Sequence, residues 1–293
     1  MSTVTAKPRA GRGATLGRYA AVVPFFGFLT VFLLVPTITV VVGAFLDGDG
    51  GFTWGNVEAL TSEGATSALG NSLVLAGSTA AIGAVLGGLL AYLVVSLGEE
   101  SLLRRTTLSV CGVLAQFGGV TLAFAFIALI GGAGVLTEIL RTSAGIDIFG
   151  SGWLYGLRGL IVVYVYFQIP LMVIVFTPAL AGLRPQWREA ATNLGATTWQ
   201  FWRHVGFPLL TPPFLGGALL LFANAFAAYA TAAVLVSQGN PITPLFIRSA
   251  LTSEVLLGQA NLGFALALQM IVVVSVVMAG YALLLRRAAR WMT

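Results

Sequence analysis

Charged residues and cysteine are scarce in this sequence of 293 residues. Only 9% of the residues are charged and 58% are hydrophobic, whereas about a quarter of a soluble domain is charged. This composition excludes a water-soluble globular domain, and it also excludes a disordered chain, whose hydrophobicity is low. Cys111 is the only cysteine and lies in an apolar run, so a disulfide framework and a cysteine-rich metal site are excluded. The remaining class is an integral membrane protein.

Several kinds of catalytic site are also missing. Lys7 is the only lysine and Pro8 follows it, so the chain has no phosphate-binding P-loop and cannot be its own ATPase. His204 is the only histidine, and no acidic or basic residue interrupts the long apolar runs, which excludes proton relays and intramembrane hydrolases. We therefore expect no catalytic residue, no metal ligand and no bound cofactor. The net charge is +5, but basic patches interleaved with aromatics are absent, so nucleic acid is not an expected partner.

Six apolar runs are long enough to cross about 30 Å of hydrocarbon as helices. They are Tyr19–Leu46, Ser72–Leu97, Leu108–Ile130, Gly159–Leu180, Leu209–Val236 and Leu262–Leu285. The runs are continuously apolar, without the alternation of a β-barrel, and they show no helix break. The sequence therefore predicts an all-α membrane protein with six transmembrane helices in residues 19–293, preceded by a disordered basic tail in residues 1–18.

The charges between the runs predict the topology. Segments 1–18, 98–107, 181–208 and 286–293 hold twelve Lys and Arg residues, whereas the intervening segments hold three. Because basic residues concentrate in cytoplasmic loops, both termini are predicted to be cytoplasmic. We expect a multi-pass protein of the bacterial cytoplasmic (inner) membrane.

The cytoplasmic segment 181–208 is long for a connection and has helical patterns. Pro185 suits the first turn of a helix, and an apolar stripe follows at helical spacing, formed by Trp187, Ala190, Ala191 and Leu194. Gly195 is a natural end for this helix, and residues 197–205 predict a second short helix. On pattern alone, two interfacial helices that lie on the lipid, anchored by tryptophans, are an equally good interpretation.

The spacing of this segment resembles the E-A-A-x3-G-x9-I-x-L-P loop of the permease subunits of type I ABC importers. The matching residues are Glu189, Ala190, Ala191, Gly195 and Pro208, with Val205 and Phe207 in place of the isoleucine and leucine. The position of the loop, between the fourth and fifth of six spans, also agrees with that family.

The resemblance implies that segment 181–208 is a coupling loop that docks in a cleft of a separate ATPase. Glu189, beside Arg188, would make the charged contact, Ala190 and Ala191 would allow close approach, and Gly195 would set the bend. The implied partners are a second permease subunit, identical or homologous, two ATP-binding cassette ATPase subunits that carry ATP and Mg, an extracytoplasmic solute-binding protein and the lipid bilayer. The chain itself would be a transport subunit and not an enzyme.

Few polar residues lie within the apolar runs. We expect Gln116, Gln168, Asn224 and Tyr229 to line the translocation pathway, although each of them, like Gln269, could instead hydrogen-bond a neighbouring helix. Asn224 and Tyr229 are the strongest candidates because small residues surround them. A G-x-x-x-G pair in the second span, Gly83 and Gly87, predicts close helix packing.

The substrate and the external partner are less well defined. The acidic first external segment (Asp47, Asp49, Glu58, Glu63) and the last one, residues 237–261 with a helix predicted at Leu245–Leu257, offer a surface for a binding protein. The sequence looks most similar to polyamine permeases, and also to permeases for ferric iron, thiamine, aminoethylphosphonate and sugars. The alternative function is a secondary carrier or channel that no ATPase drives, which predicts intramembrane charges or broken helices.

Overall fold

The computed structural model describes residues 22–150, 152–236, 242–252 and 261–289, and the basic tail 1–18 lies outside them. In this part of the chain the secondary structure is helical, with no β-strand. The helices are α1 (Val22–Gly43), α2 (Gly55–Glu58), α3 (Glu63–Ser96), α4 (Leu102–Gln116), α5 (Gly119–Ile130), α6 (Val135–Ala144), α7 (Leu157–Ala181), α8 (Pro185–Asn193), α9 (Thr198–Ala227), α10 (Ala230–Leu235), α11 (Thr243–Thr252) and α12 (Leu262–Ala289).

Six apolar helical stretches among the described residues are long enough to cross a membrane, which confirms the predicted number. They are Val22–Gly43, Glu63–Ser96, Gly119–Ala144, Leu157–Ala181, Thr198–Ala227 and Leu262–Leu283. Two of them begin well before the predicted apolar runs. The second starts at Glu63, where the Ser62 hydroxyl accepts a hydrogen bond from Ala65 N at 3.4 Å and caps the helix. Hydropathy indicates only the part of a helix that is apolar enough to lie in lipid. The helix itself is longer, because its backbone hydrogen bonds continue into the polar residues that flank the apolar run.

The third crossing is made of two helices. By length and composition the apolar stretch runs from α5 into α6, but the packing assigns the crossing to α4 and α5. Cys111 of α4 packs with Phe176 and Leu180 at the carboxyl end of α7. Leu122 of α5 packs with Leu160 at the opposite end of α7. Together α4 and α5 therefore follow α7 from one side of the bundle to the other, as the predicted run Leu108–Ile130 requires.

The bundle is organised around α7, which packs against α3, α4 and α9. Glycines in α3 allow this close contact: a Cβ at Gly83 would lie 2.8 Å from Gln168 Cβ, and one at Gly87 would lie 2.6 Å from Ile169 O. The G-x-x-x-G pair is thus used for packing within the chain, as predicted. Because lipid tails are as apolar as these side chains, such close van der Waals contact is the main source of helix association in a membrane.

The expectation of unbroken helices is wrong at two places. The third crossing breaks between α4 and α5 at Phe117–Gly118, and the fifth breaks between α9 and α10 at Ala228–Tyr229. Neither break contains proline, and both lie inside continuous apolar runs, so hydropathy does not reveal them. Gly119 adopts a φ of +67°, which disfavours any side chain and permits the turn.

The two breaks lie against each other. The Thr231 hydroxyl of α10 donates to Gly119 O at 3.1 Å, and the buried Tyr164 hydroxyl donates to Ala228 O at 3.1 Å. Ala228 directly follows α9, so the bond from Tyr164 satisfies a carbonyl group at a helix end, which would otherwise be costly in the absence of water. The bond from Thr231 links α10 to the first residue of α5. The broken segments are therefore held by defined hydrogen bonds.

Helix α1 lies at the edge of the bundle, and most of its residues are exposed. It contacts α12 near its carboxyl end, where the ring of Phe264 covers Gly43 and Asn261 Nδ2 donates to Leu46 O. Much of its apolar surface is consequently left for lipid or another subunit.

Candidate functional site

Helix α8 is the segment predicted to dock in a partner, and its own chain leaves it uncovered. Pro185 occupies the first turn, as predicted, and no residue of α8 is buried. Trp187 is 39% exposed, and Leu194, which directly follows the helix, is 87% exposed. Burying an apolar stripe is what usually stabilises a short amphipathic helix. The exposure of this stripe therefore leaves an apolar surface that a partner or lipid can cover.

The end of α8 is fixed by backbone hydrogen bonds around Gly195. Ala196 N–H donates to Ala191 O and Gly195 N–H donates to Thr192 O, both at 2.9 Å, which is the Schellman arrangement. Gly195 has a φ of +77°, and a Cβ there would meet nothing within 4 Å. The predicted bend is confirmed, and its glycine is required by the backbone conformation.

A capping box connects this turn to the fifth crossing. The Thr197 hydroxyl accepts from Gln200 N–H at 3.3 Å, and the Gln200 side chain accepts from Thr197 N–H at 2.7 Å. The second short helix then continues into α9 without interruption, so the fifth crossing begins at Thr198 and not at Leu209. The loop is therefore continuous with a helix that is long enough to cross the membrane.

A π turn at Trp202–Gly206 lies within α9, directly after its first turn. Phe207 N–H donates to Trp202 O, five residues earlier, and this wider turn accommodates Pro208, which has no N–H to donate. The Trp202 ring packs on Gly206, where a Cβ would clash with it. The same ring contacts Tyr92 of α3 edge to face, with the centroids 5.6 Å apart.

Trp202, Gly206 and Tyr92 are structural contributors that the sequence did not single out. The sequence places Trp202 on an aromatic face of the second short helix and among the tryptophans that would anchor it to lipid in the alternative interpretation. Gly206 falls on a variable position of the motif, and Tyr92 lies within an apolar run. The sequence offers no signal that the three residues meet.

The charged residues of α8 lie together. Arg188 and Glu189 line a shallow cavity of about 310 Å³ with Pro185, Thr192 and Asn193. Among the described residues the ion pairs are Arg105–Glu100, at 3.4 Å, and Arg141–Glu138, so Glu189 is not paired within that part of the chain. Its carboxylate, and the adjacent small residues Ala190 and Ala191, are therefore available to a partner.

The pathway candidates separate into two groups. Gln116 ends α4 and Tyr229 lies between α9 and α10, so the structure places both at the paired helix breaks, and both are exposed, as is Asn224. Gln168 is different: it is 0% exposed, and its Nε2 donates to Leu221 O at 3.0 Å. The pathway role expected for Gln168 is thus corrected to a packing role between α7 and α9.

The segments predicted to be external are only partly described. Asp47, Asp49, Glu58 and Glu63 are exposed, and the side chain of Asn56 donates to Leu46 O at 2.7 Å, which holds the first of these segments. The predicted helix Leu245–Leu257 is present as α11, Thr243–Thr252, and its remainder, with Glu254, lies outside the described residues. The suggested docking of a binding protein here stays a prediction.

Comparisons with known proteins identify relatives among transport permeases. The chain is 26% identical over 204 residues to a putative ferric transport system permease protein of Haemophilus influenzae, covering 70% of this chain and 32% of the relative. It is 29% identical over 138 residues to the thiamine transport system permease protein of Escherichia coli, covering 47% of this chain and 25% of the relative. It is 35% identical over 86 residues to the sulfate transport system permease protein of the same organism, covering 29% of this chain and 30% of the relative. The chain thus spans about a quarter to a third of the length of these relatives. No protein-family model matches it.

Solved structures show the fold. The chain superposes on one from a bacterial ABC transporter that imports alginate, with a TM-score of 0.77, 18% identity and coverage of 94% of this chain and 96% of that one. It also matches a chain of an inward-facing methionine ABC transporter, with a TM-score of 0.58 and 17% identity, and the match covers 78% of this chain and 99% of that one.

The names of the relatives correct one expectation and bear out another. They include ferric iron, thiamine and sulfate, so the expected polyamine substrate finds no support. The relatives are transport components and not enzymes. The chain is a multi-pass inner-membrane protein, homologous to the permeases of ABC transport systems, with the fold of a type I importer permease.

Proposed function

We propose that the chain is the permease subunit of an ATP-driven, binding-protein-dependent ABC importer and forms half of a translocation pathway. The observation that carries this proposal is the coupling loop, residues 181–208. Its helix α8 is exposed with its apolar stripe and carboxylate unpartnered, yet it is joined without a flexible segment to α9. A surface that is stiff and uncovered is suited to receive force from another subunit.

The proposed mechanism is mechanical. Two ATPase subunits, which hold ATP and Mg, close on each other and push on α8. The Schellman turn at Gly195 and the capping box at Thr197 transmit this displacement to α9. Because α9 packs against α3 and α7, the bundle rotates as a rigid body between inward- and outward-facing states.

The assembly requires further chains. Six crossings with one coupling loop make half of a symmetric pathway, so a second permease, identical or homologous, completes it. An extracytoplasmic binding protein delivers the solute; a solved relative of similar fold is an alginate transporter in complex with a ligand-bound periplasmic protein. The bias of basic residues supports cytoplasmic termini and a cytoplasmic coupling loop. Gln116, Asn224 and Tyr229 line the path.

The proposed cargo is a small polar solute. The names of the relatives favour ferric iron, thiamine or sulfate over other classes. Selectivity would be set mainly by the binding protein, since the described part of the pathway offers amides and a phenol and no charged side chain among the candidates.

The test is the substitution Glu189→Ala in the complex reconstituted with its ATPase and binding protein. Removing one partner of a buried charge pair costs roughly 2–5 kcal/mol, so docking of the ATPase should weaken by about 30-fold or more and uptake should be lost. The matched control is Gln186→Ala, which truncates an exposed side chain one turn earlier on α8. Normal ATP-dependent uptake by Glu189→Ala would contradict the coupling role.

A secondary carrier is the second candidate, because broken helices at membrane depth are typical of carriers. It predicts gradient-driven uptake that vanadate does not inhibit and that needs no ATPase. Uptake by the chain alone in vesicles would favour the carrier, whereas dependence on ATP and on the ATPase would exclude it.

A further inference from the structure

Two adjoining cavities lie between α3, α7 and the start of α9, at the end of the bundle next to the coupling loop. The first has a volume of about 280 Å³ and an almost wholly apolar lining, which includes Gly88, Tyr92, Phe176, Trp202, Leu210 and Phe214. The second has a volume of about 330 Å³ and includes the polar side chains of Ser96, Arg184 and Arg188. The two cavities share Tyr92, Leu180 and Trp202 as a common wall.

The common wall is fixed in place. Tyr92 and Trp202 contact each other edge to face, and Trp202 lies on Gly206, which has no side chain to displace it. Phe201, which lines the polar cavity, is buried. The wall therefore separates the apolar cavity from the cavity that Arg184 and Arg188 line, and it closes neither of them.

The cationic cavity, beside Arg184 and Arg188, has no counter-ion within the described residues. The ion pairs in that part of the chain involve neither Arg184 nor Arg188, and Glu189 forms none with its neighbour. Two guanidinium groups beside one cavity favour an anionic group, and a phosphate oxygen is a good acceptor for arginine. Basic pockets between transmembrane helices on the cytoplasmic side are suited to anionic lipid head groups.

The depth of the two cavities fits a lipid. Gly88 precedes Ser96 by eight residues on α3, which corresponds to about 12 Å along the helix axis. The apolar cavity thus extends toward the membrane interior, and the cationic one lies at the end of α3, beside the loop. A phospholipid is arranged in the same way, with its acyl chain toward the membrane interior and its head group at the membrane surface.

We propose that the paired cavities bind one anionic phospholipid, with an acyl chain in the apolar cavity and its phosphate on Arg184 and Arg188. Such a lipid would connect the beginning of α8 to the bundle and brace the coupling loop. This site goes beyond the proposed function and does not depend on ATP coupling, because it requires only that the loop lie at a membrane surface.

The experiment measures lipid retained by the full chain. The protein is purified in neutral detergent, supplied with equal amounts of phosphatidylglycerol and phosphatidylcholine of the same acyl composition, and examined by native mass spectrometry. We expect one phosphatidylglycerol to be retained in preference to phosphatidylcholine. An arginine near the membrane surface increases the affinity for an anionic lipid roughly fivefold. The double variant Arg184→Gln/Arg188→Gln should therefore reduce the preference for phosphatidylglycerol over phosphatidylcholine by about 25-fold.

A second variant tests the apolar cavity. Thr211 lines it and is exposed, so Thr211→Trp fills the space without disturbing the core and should reduce the retention of both lipids several-fold. The matched controls are Arg203→Gln and Leu220→Trp, which change exposed positions of α9 that line neither cavity. Both controls should retain lipid as the unmodified chain does.

Three results would overturn the proposal. Equal retention of the two lipids by the unmodified chain would exclude an anionic site. A loss with Arg203→Gln as large as with the double variant would indicate diffuse surface charge. Displacement of the lipid when the ATPase is added would assign Arg184 and Arg188 to the protein interface. The first two measurements use the chain alone and no transport, so failure of the proposed function would leave them unaffected.

Discussion

Gly87 in α3 and Gly195 after α8 are both glycines that sequence motifs single out, but they are required for opposite reasons. At Gly87 the backbone φ is not positive and there is no space, since a Cβ would lie 2.6 Å from both Ile169 O and Met172 Cβ. At Gly195 there is space, but φ is +77°. In the transmembrane bundle, glycine is thus required by packing within the chain. In the coupling loop, glycine is required by a local backbone conformation, which ends a helix that the chain leaves uncovered.

The largest expected effect is that of Gly87→Val. Two extra methyl groups and a Cβ would be forced against the backbone of α7, and overpacking of this kind costs roughly 1–3 kcal/mol or more. We expect a large loss of folded protein, measured as yield and as the unfolding midpoint in detergent. The control is Gly77→Val, since a Cβ at Gly77 meets nothing within 4 Å. Equal stability of the two variants would contradict the close contact of α3 with α7.

Gly195→Pro should abolish uptake and leave the protein folded. Proline fixes φ near −65° and removes the N–H that donates to Thr192 O, so the end of α8 is redirected. Gly195→Asn is the matched control, because asparagine tolerates the left-handed region. The measurements are ATP-dependent uptake and the unfolding midpoint. Loss of uptake in both variants, or in neither, would show that the bend itself is not what matters.

The sequence predicted the features that depend on long patterns. Six apolar runs gave the crossings, and Pro185 and Gly195 gave the bounds of α8, because composition and local backbone preference decide them. The break at Ala228–Tyr229 could not be predicted, since it lies in an apolar run without proline and its carbonyl group is bonded by the Tyr164 hydroxyl, 64 residues earlier in the chain. The contact of Trp202 with Tyr92 likewise depends on tertiary packing.

Asn224 and Gln168 allow a smaller test within the membrane, because both were predicted to line the pathway and only Asn224 is exposed. Asn224→Leu removes an amide from an exposed position on α9 and should change the uptake kinetics without affecting stability. The measurement is the concentration dependence of uptake by the reconstituted complex. Unchanged kinetics would return Asn224 to the group of packing residues.

Gln168→Leu should have the smallest effect. The substitution removes the hydrogen bonds from Nε2 to Leu221 O at 3.0 Å and to Thr79 Oγ1 at 3.4 Å, but it also removes the buried Oε1, which has no hydrogen-bond partner within the described structure. Hydrogen bonds between transmembrane helices contribute only about 0.6 kcal/mol on average, and removing an unpaired polar atom offsets part of this loss. We expect the free energy of unfolding to change by less than about 1 kcal/mol and uptake to remain normal. A clear loss of uptake with unchanged stability would place Gln168 on the pathway after all, because packing alone cannot produce that combination.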